Sequence, residues 1–115
     1  MTDQILTATT EKISESLAVV TAVGELDRGS TGILGGAVDA TDAVRIVVDL
    51  SGVTFCDSAA LNYLVQLHLR LTGQDGVLAV AGSQSFVLRT LRVTNLERLF
   101  PVHATVAQAV EALSS

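Results

Sequence analysis

Asp57 and Ser58 adjoin, and with His68 ten residues on they bring a carboxylate, a hydroxyl and an imidazole into one stretch, "DSAALNYLVQLH". Acid, nucleophile and base in that order suggest acyl or phosphoryl transfer, and helix geometry removes it. On one helix, at a rise of about 1.5 Å per residue, Ser58 and His68 stand roughly 15 Å apart, beyond hydrogen-bond reach. His103 belongs to another segment and would need a fold-back to take part; His68 fits the border of a buried helix face. Cys56 and the two histidines match no familiar zinc spacing, so no metal set is expected. "GELDRGSTGILGG", from Gly24, follows a strand-like run but lacks both G-x-G-x-x-G and the G-K-[ST] ending of a phosphate loop. Neither a cofactor site nor a catalytic activity is expected.

Asp49, near the end of an aliphatic run, invites comparison with receiver domains that take phosphate on an aspartate. That resemblance would imply an acidic pair after the first strand and a lysine after the last, and the one lysine here is Lys12. What remains is Asp57-Ser58 itself. Both residues favour helix N-caps, where a side-chain oxygen accepts from a free backbone N–H. A helix N-terminus also favours an anion, through its unpaired N–H groups and the positive end of its dipole, so a serine there can carry phosphate without unfolding the helix. Ser51, Ser83 and Ser85 lack this turn-to-helix setting.

The helix beginning at Ser58 has a second feature. At 100° per residue Ala60, Leu64, Leu67 and Leu71 share one face, and Asn62, Gln66 and Arg70 mark the opposite, wet face. Leu69 falls among the wet residues, on the side of Ser58 and near Val65. A single exposed leucine is ordinary; together with Ser58, Asn62 and Val65 it outlines a small apolar and polar patch suited to a docked partner.

Four runs read as the strands that would carry these residues: Gln4–Thr9, Leu17–Val23, Val44–Leu50 and Val77–Ala81, the middle two continuous and aliphatic as in strands buried on both faces. Helical patterns occupy Thr31–Ala40, Ser58–Thr72, about Ser85–Val93 and Thr105–Leu113. After a first hairpin, strand and helix alternate, which favours an α/β sheet with helical crossovers. Gly73 and Gly76 offer positive φ after the second helix, and Pro101 breaks the chain before the last. Gly32, Gly35 and Gly36 weaken the first helix by about 1 kcal/mol each. Ser114 and Ser115 read as a frayed end.

At 115 residues the chain is expected to be one domain, 1–115, with an aliphatic core, since hydrophobic residues make up 49% and aromatics 3%. A net charge of −5 and the lack of a basic stripe argue against direct nucleic-acid binding. Met1–Thr10 lacks the layout of a signal peptide and the Leu61–Leu71 stretch is broken by polar residues, so a cytoplasmic protein without membrane insertion is expected. The lone Cys56 allows no internal disulfide.

Three segments in order, "GELD" at Gly24–Asp27, "VVDLSGVTFCDS" at Val47–Ser58 and "LRVTNLERLFPVHATVAQAVEAL" at Leu91–Leu113, resemble the STAS-type anti-sigma factor antagonists of bacteria. The resemblance implies a mixed, mostly parallel sheet of four to five strands, with about four helices packed mainly on one side, and no catalysis. It implies that Ser58 is phosphorylated by a partner, an anti-sigma factor that is also an ATP-dependent serine kinase. The unphosphorylated form would bind that partner and release a sigma factor, and a metal-dependent serine phosphatase would restore it. A phosphate adds about −1.5 to −2 charge beside Asp57 and, by the resemblance, Asp27, and would disrupt docking on Asn62, Val65 and Leu69. Ala60 stands where the family usually has glycine. Two rival readings come from other classes: a cytoplasmic STAS subunit clamping a lipid-transport ATPase, and a small hydrolase using Ser58.

Overall fold

A computed structural model describes residues 6–82 and 85–114, with the side chains of residues 85 and 86 left aside. Gln4, Ile5, Ser83 and Ser115, on which parts of the sequence reading fall, lie outside the described residues. The elements run β1 Thr7–Lys12, β2 Leu17–Leu26, α1 Thr31–Asp39, β3 Arg45–Cys56, α2 Ser58–Thr72, β4 Val77–Ala81 and α3 Ser85–Val93. A 3-10 turn at Leu96–Arg98 follows, then β5 Val102–His103 and α4 Val106–Leu113. The strands form one five-stranded sheet in chain order; β1 pairs antiparallel with β2, and every later pair is parallel. Connecting parallel neighbours requires crossovers, and the helices supply them.

The two faces of the sheet bury different amounts. Leu34 and Val38 of α1, Ala60, Leu64, Leu67 and Leu71 of α2, and Val87 and Leu91 of α3 close over Val20, Val48, Leu50, Leu78 and Val80 in the main core. On the other face α4 is the one described helix that packs, with Ala109 and Leu113 against Leu17, Val19, Val47, Ala79 and Ala81. The expected α/β sheet with helices mainly on one side is therefore the observed architecture. Alternating side chains of the central strands feed both cores, which explains their unbroken aliphatic runs.

Several boundaries differ from the sequence reading, and Ser85, expected to lack a helix-start setting, is the first residue of α3. The first strand lies further along the chain than expected, at Thr7–Lys12. Strand β3 does not stop at Leu50 but continues through "SGVTFC" to Cys56, alongside a β2 that likewise runs on to Leu26. Register shifts between Thr21 and Val23 and between Gly24 and Glu25 keep the two strands paired out to Leu26↔Cys56. What reads as a turn before Asp57 is strand, held by ladder hydrogen bonds and by Val53 and Cys56 in the core. Gly52 permits this: a Cβ there would sit 2.9 Å from Val23 Cγ2.

After α2 the positive φ falls on Asp75, at 60°, and not on a glycine, whereas Gly73 is helical. Gly76 is needed for a different reason, since a Cβ at that position would collide with the Val44 carbonyl. The glycines of α1 are offset by packing: Leu34 and Val38 are fully buried, and Thr10 Oγ1 donates to the Ala37 carbonyl. Ser114 is not frayed, because its Oγ donates to the Val110 carbonyl at 2.6 Å and closes α4.

Candidate functional site

Paired strands β2 and β3 end level with one another, so the residues that follow, Asp27 and Asp57, leave the same edge of the sheet side by side. Asp57 then caps α2: its Oδ1 accepts from the Ala60 N–H at 2.9 Å. Its backbone is extended (φ −94°, ψ −178°), as an N-cap requires. The other carboxylate oxygen, Oδ2, accepts from the Arg28 N–H at 3.0 Å, across 29 residues of chain. The Asp57 N–H in turn donates to the Leu26 carbonyl at 3.2 Å. One side chain thus ties the β2–α1 loop to the first turn of α2. The N–H of Ala60 holds the Asp57 carboxyl below its ordinary range despite partial desolvation, helped by the N–H groups of Arg28 and Ala59 and by the Arg28 charge.

The β2–α1 loop is organised by Ser30, the one buried polar residue among those described, at 7% exposure. Ser30 Oγ accepts from the Asp27 N–H at 2.9 Å and donates to the Glu25 carbonyl at 2.9 Å, while the Asp27 carbonyl accepts from the N–H groups of Ser30 and Thr31. Sequence reasoning missed Ser30. A serine before an apolar helix reads as an N-cap, yet here its hydroxyl makes no capping bond and reaches back to the strand. It also missed Arg28, whose link to Asp57 is long-range and leaves no local pattern.

Ser58 is the first residue of α2 and is exposed. Asn62 is exposed, Val65 half-buried and Leu69 56% exposed, at intervals of four, three and four residues, so the four form one stripe along the helix. The opposite stripe, Ala60, Leu64, Leu67 and Leu71, is buried. The helix phase expected from periodicity is the observed one. The stripe runs from Ser58 to within a turn of the helix end, flanked by an ion pair between Arg70 and Asp39 at 3.2 Å that joins α2 to α1.

The catalytic combinations weighed earlier do not assemble. His68 sits at the border of the buried face with its ring 5.9 Å from that of Phe100. His103 is in edge strand β5, with its Nε2 buried and lacking a hydrogen-bond partner. A cavity of about 310 Å³ there is lined by Leu88, Arg92, Glu97 and Val102 among others, and belongs to the β5 edge rather than to Ser58. Burial, and secondarily the Asp57 charge, push the Cys56 thiol up to about 11, so next to Ser58 it is an inert apolar group. Among the described residues no cluster of three His, Cys, Asp or Glu could hold a metal, and no helix is long and apolar enough to cross a membrane.

Comparison with known proteins adds four findings. Residues 1–109 match the family model of the STAS domain. A STAS-domain containing protein of Pseudomonas aeruginosa is 34% identical over 58 residues, covering 50% of this chain and 57% of the relative, so the match spans less than two thirds of that relative's length. Among solved structures, an anti-sigma factor antagonist from Mycobacterium paratuberculosis superposes with a TM-score of 0.83 at 28% identity, over 96% of this chain and 95% of the other. The Bacillus cell fate determinant SpoIIAA in its phosphorylated form shares the fold, with a TM-score of 0.65 at 18% identity over 91% and 97%.

Proposed function

The chain belongs to the STAS domain family, and from that premise we propose that it is an anti-sigma factor antagonist switched by phosphorylation at Ser58. The observation that carries the reading is an exposed serine on the first turn of a helix whose cap, Asp57, is fixed from two sides, at the head of the exposed stripe Asn62, Val65 and Leu69. Such a mount presents the hydroxyl to a kinase and keeps the stripe rigid for docking. In this reading the domain, residues 1–115, works in the cytoplasm as a binding protein and not as an enzyme. The unphosphorylated form docks on an anti-sigma factor that is also a serine kinase, and so frees a sigma factor. Phosphate at Ser58 abolishes docking, and a metal-dependent serine phosphatase reverses it. The antagonist named from M. paratuberculosis and the neighbour solved in a phosphorylated form support the reading.

The physical basis of release is local. Phosphate adds about −1.5 to −2 charge and a hydrated shell. It would do so beside a carboxylate whose oxygens are already engaged, at the head of a surface that must shed water to bind. Asp27, on the adjoining loop, adds a second negative group at the same sheet edge. Incubation of the purified chain with ATP and the anti-sigma factor kinase of its own organism tests the proposal. Phosphate on Ser58 alone, with loss of co-elution from the kinase, is expected. Phosphate mainly on another residue, or a complex that survives stoichiometric phosphorylation, would reject it.

A further inference from the structure

Four charged residues stand at or just beyond the ends of β2 and β3: Glu25, Asp27 and Arg28 from β2 and its loop, and Asp57 from the residue after β3. Three are acidic, and neither α1 nor α2 brings an acidic residue in its first turn. Arg28 is the single cation. Its backbone is anchored 3.0 Å from Asp57 Oδ2, and its side chain is exposed. The ion pairs among the described residues are Lys12–Glu15, Arg70–Asp39 and Arg92–Glu97, so the Arg28 guanidinium is not engaged in one. Its charge reaches the Asp57 carboxylate, one residue from Ser58.

A phosphate on Ser58 would arrive where two nearby backbone donors already serve the Asp57 carboxylate. Ala60 N–H and Arg28 N–H both point at Asp57. The incoming dianion therefore faces a fixed carboxylate with few free donors, a like-charge contact that raises the second pKa of a phosphate. A guanidinium presents several donors in a fork that fits carboxylate and phosphate oxygens alike. We propose that Arg28 is the counter-cation of phosphorylated Ser58, its guanidinium shared between the phosphate and Asp57. The inference rests on Ser58 being the modified residue. Its consequence is that Arg28 opposes the Asp57 repulsion and keeps the phosphate doubly ionised at neutral pH, so that the switch carries its full charge. Arg28 is here a positioning residue of the modified state; it has no part in transferring the phosphoryl group.

The test needs no kinase. Phosphoserine is placed at position 58 of the full chain by genetic encoding, and its phosphorus resonance is followed against pH in the wild type, Arg28→Gln and Arg28→Lys. The backbone N–H that serves Asp57 is kept in all three. The second phosphate pKa is expected to rise by about 0.3–1 unit in Arg28→Gln and to return most of the way in Arg28→Lys, with the difference shrinking at high salt. Equal pKa values in the wild type and Arg28→Gln, with both proteins folded by their amide spectra, overturn the proposal. That failure stays separate from failure of the switch. Loss of partner binding by the phosphoserine chain is scored in a different titration, and it can hold with or without Arg28.

Discussion

Leu67→Asp and Leu69→Asp place the same carboxylate two residues apart on α2, and the structure assigns them opposite outcomes. Leu67 is 3% exposed inside the main core, whereas Leu69 is 56% exposed on the Ser58 stripe. At Leu67 the change forfeits about 2–3 kcal/mol of leucine burial. Burying a carboxylate without a partner, or protonating it to avoid that, costs several kcal/mol more. The sum, roughly 5 kcal/mol or above, is comparable with the roughly 5–15 kcal/mol that a whole domain has, so Leu67→Asp should be largely unfolded. At Leu69 less than half of the side chain is buried, and the lost burial is about 1 kcal/mol. Poorer helix propensity adds roughly 0.5 kcal/mol, and a negative charge near the C-terminal end of the helix a few tenths more. A total near 2 kcal/mol lowers Tm by about 8 °C and leaves a folded protein. Leu69→Gln, which avoids the charge, should sit closer to wild type. Thermal melts followed by circular dichroism, run beside titrations against the purified anti-sigma factor, separate the effects: Leu69→Asp and Leu69→Gln fold but bind weakly, and Leu67→Asp does not fold. If the two aspartate variants melt alike, the assigned faces of α2 are wrong; if Leu69→Gln binds like wild type, the stripe is not the docking surface.

Ser58→Ala should keep partner affinity and resist inactivation by ATP, whereas Ser58→Asp should bind about 30-fold or more weakly, as expected for roughly 2–5 kcal/mol of unpaired interface charge; tighter binding by the acidic variant in a calorimetric titration would reverse the sign of the switch. The Asp57 carboxyl is depressed in the folded state, so its stabilisation is present above the unfolded value near 3.9 and is lost as pH falls through the lower folded value. The Tm gap between wild type and Asp57→Asn should therefore be full at pH 7 and close steadily below about pH 4; a gap that stays constant down to pH 2 contradicts the native-state depression of this carboxyl. Cys56, with its thiol pushed up to about 11, should react with a disulfide reagent at pH 8 far more slowly in the folded protein than in urea, and equal rates would place it at the surface.

Much of the region around Ser58 is legible in the sequence because it is written in local periodicities. Ala60, Leu64, Leu67 and Leu71 recur at helical intervals, and a helix so marked has one phase, which fixes Leu69, Val65 and Asn62 on the other side. The Asp57-Ser58 pair before an apolar run marks a cap, which Asp57 supplies. The extension of β3 is not legible in that way. "SGVTFC" contains Ser51 and Gly52, residues that ordinarily mark a turn, and Gly52 is there because Val23 of the neighbouring strand leaves no room for a Cβ. Strand β5 has two residues, too few for any alternation to show. The bond from Arg28 to Asp57 and the backward reach of Ser30 depend on two chain segments meeting, which no window along the sequence contains.

The uneven sheet has a consequence for how the molecule breathes. Among the described helices α4 alone rests on its face, with its Ala109 and Leu113 over five buried residues of the sheet, and its end is fastened by Arg45, whose guanidinium donates to the Leu113 carbonyl and to Ser16 Oγ. The Ser58 mount draws on the opposite core and shares no side chain with that cluster. Detachment of α4 would therefore bare one face of the sheet while α1, α2 and the Asp57 tie stay in place. In hydrogen-exchange experiments the α4 amides should form a separate, less protected cooperative unit, exchanging without dragging the α2 amides with them. The Ser58 end of the domain can thus stay rigid while the far side opens and closes.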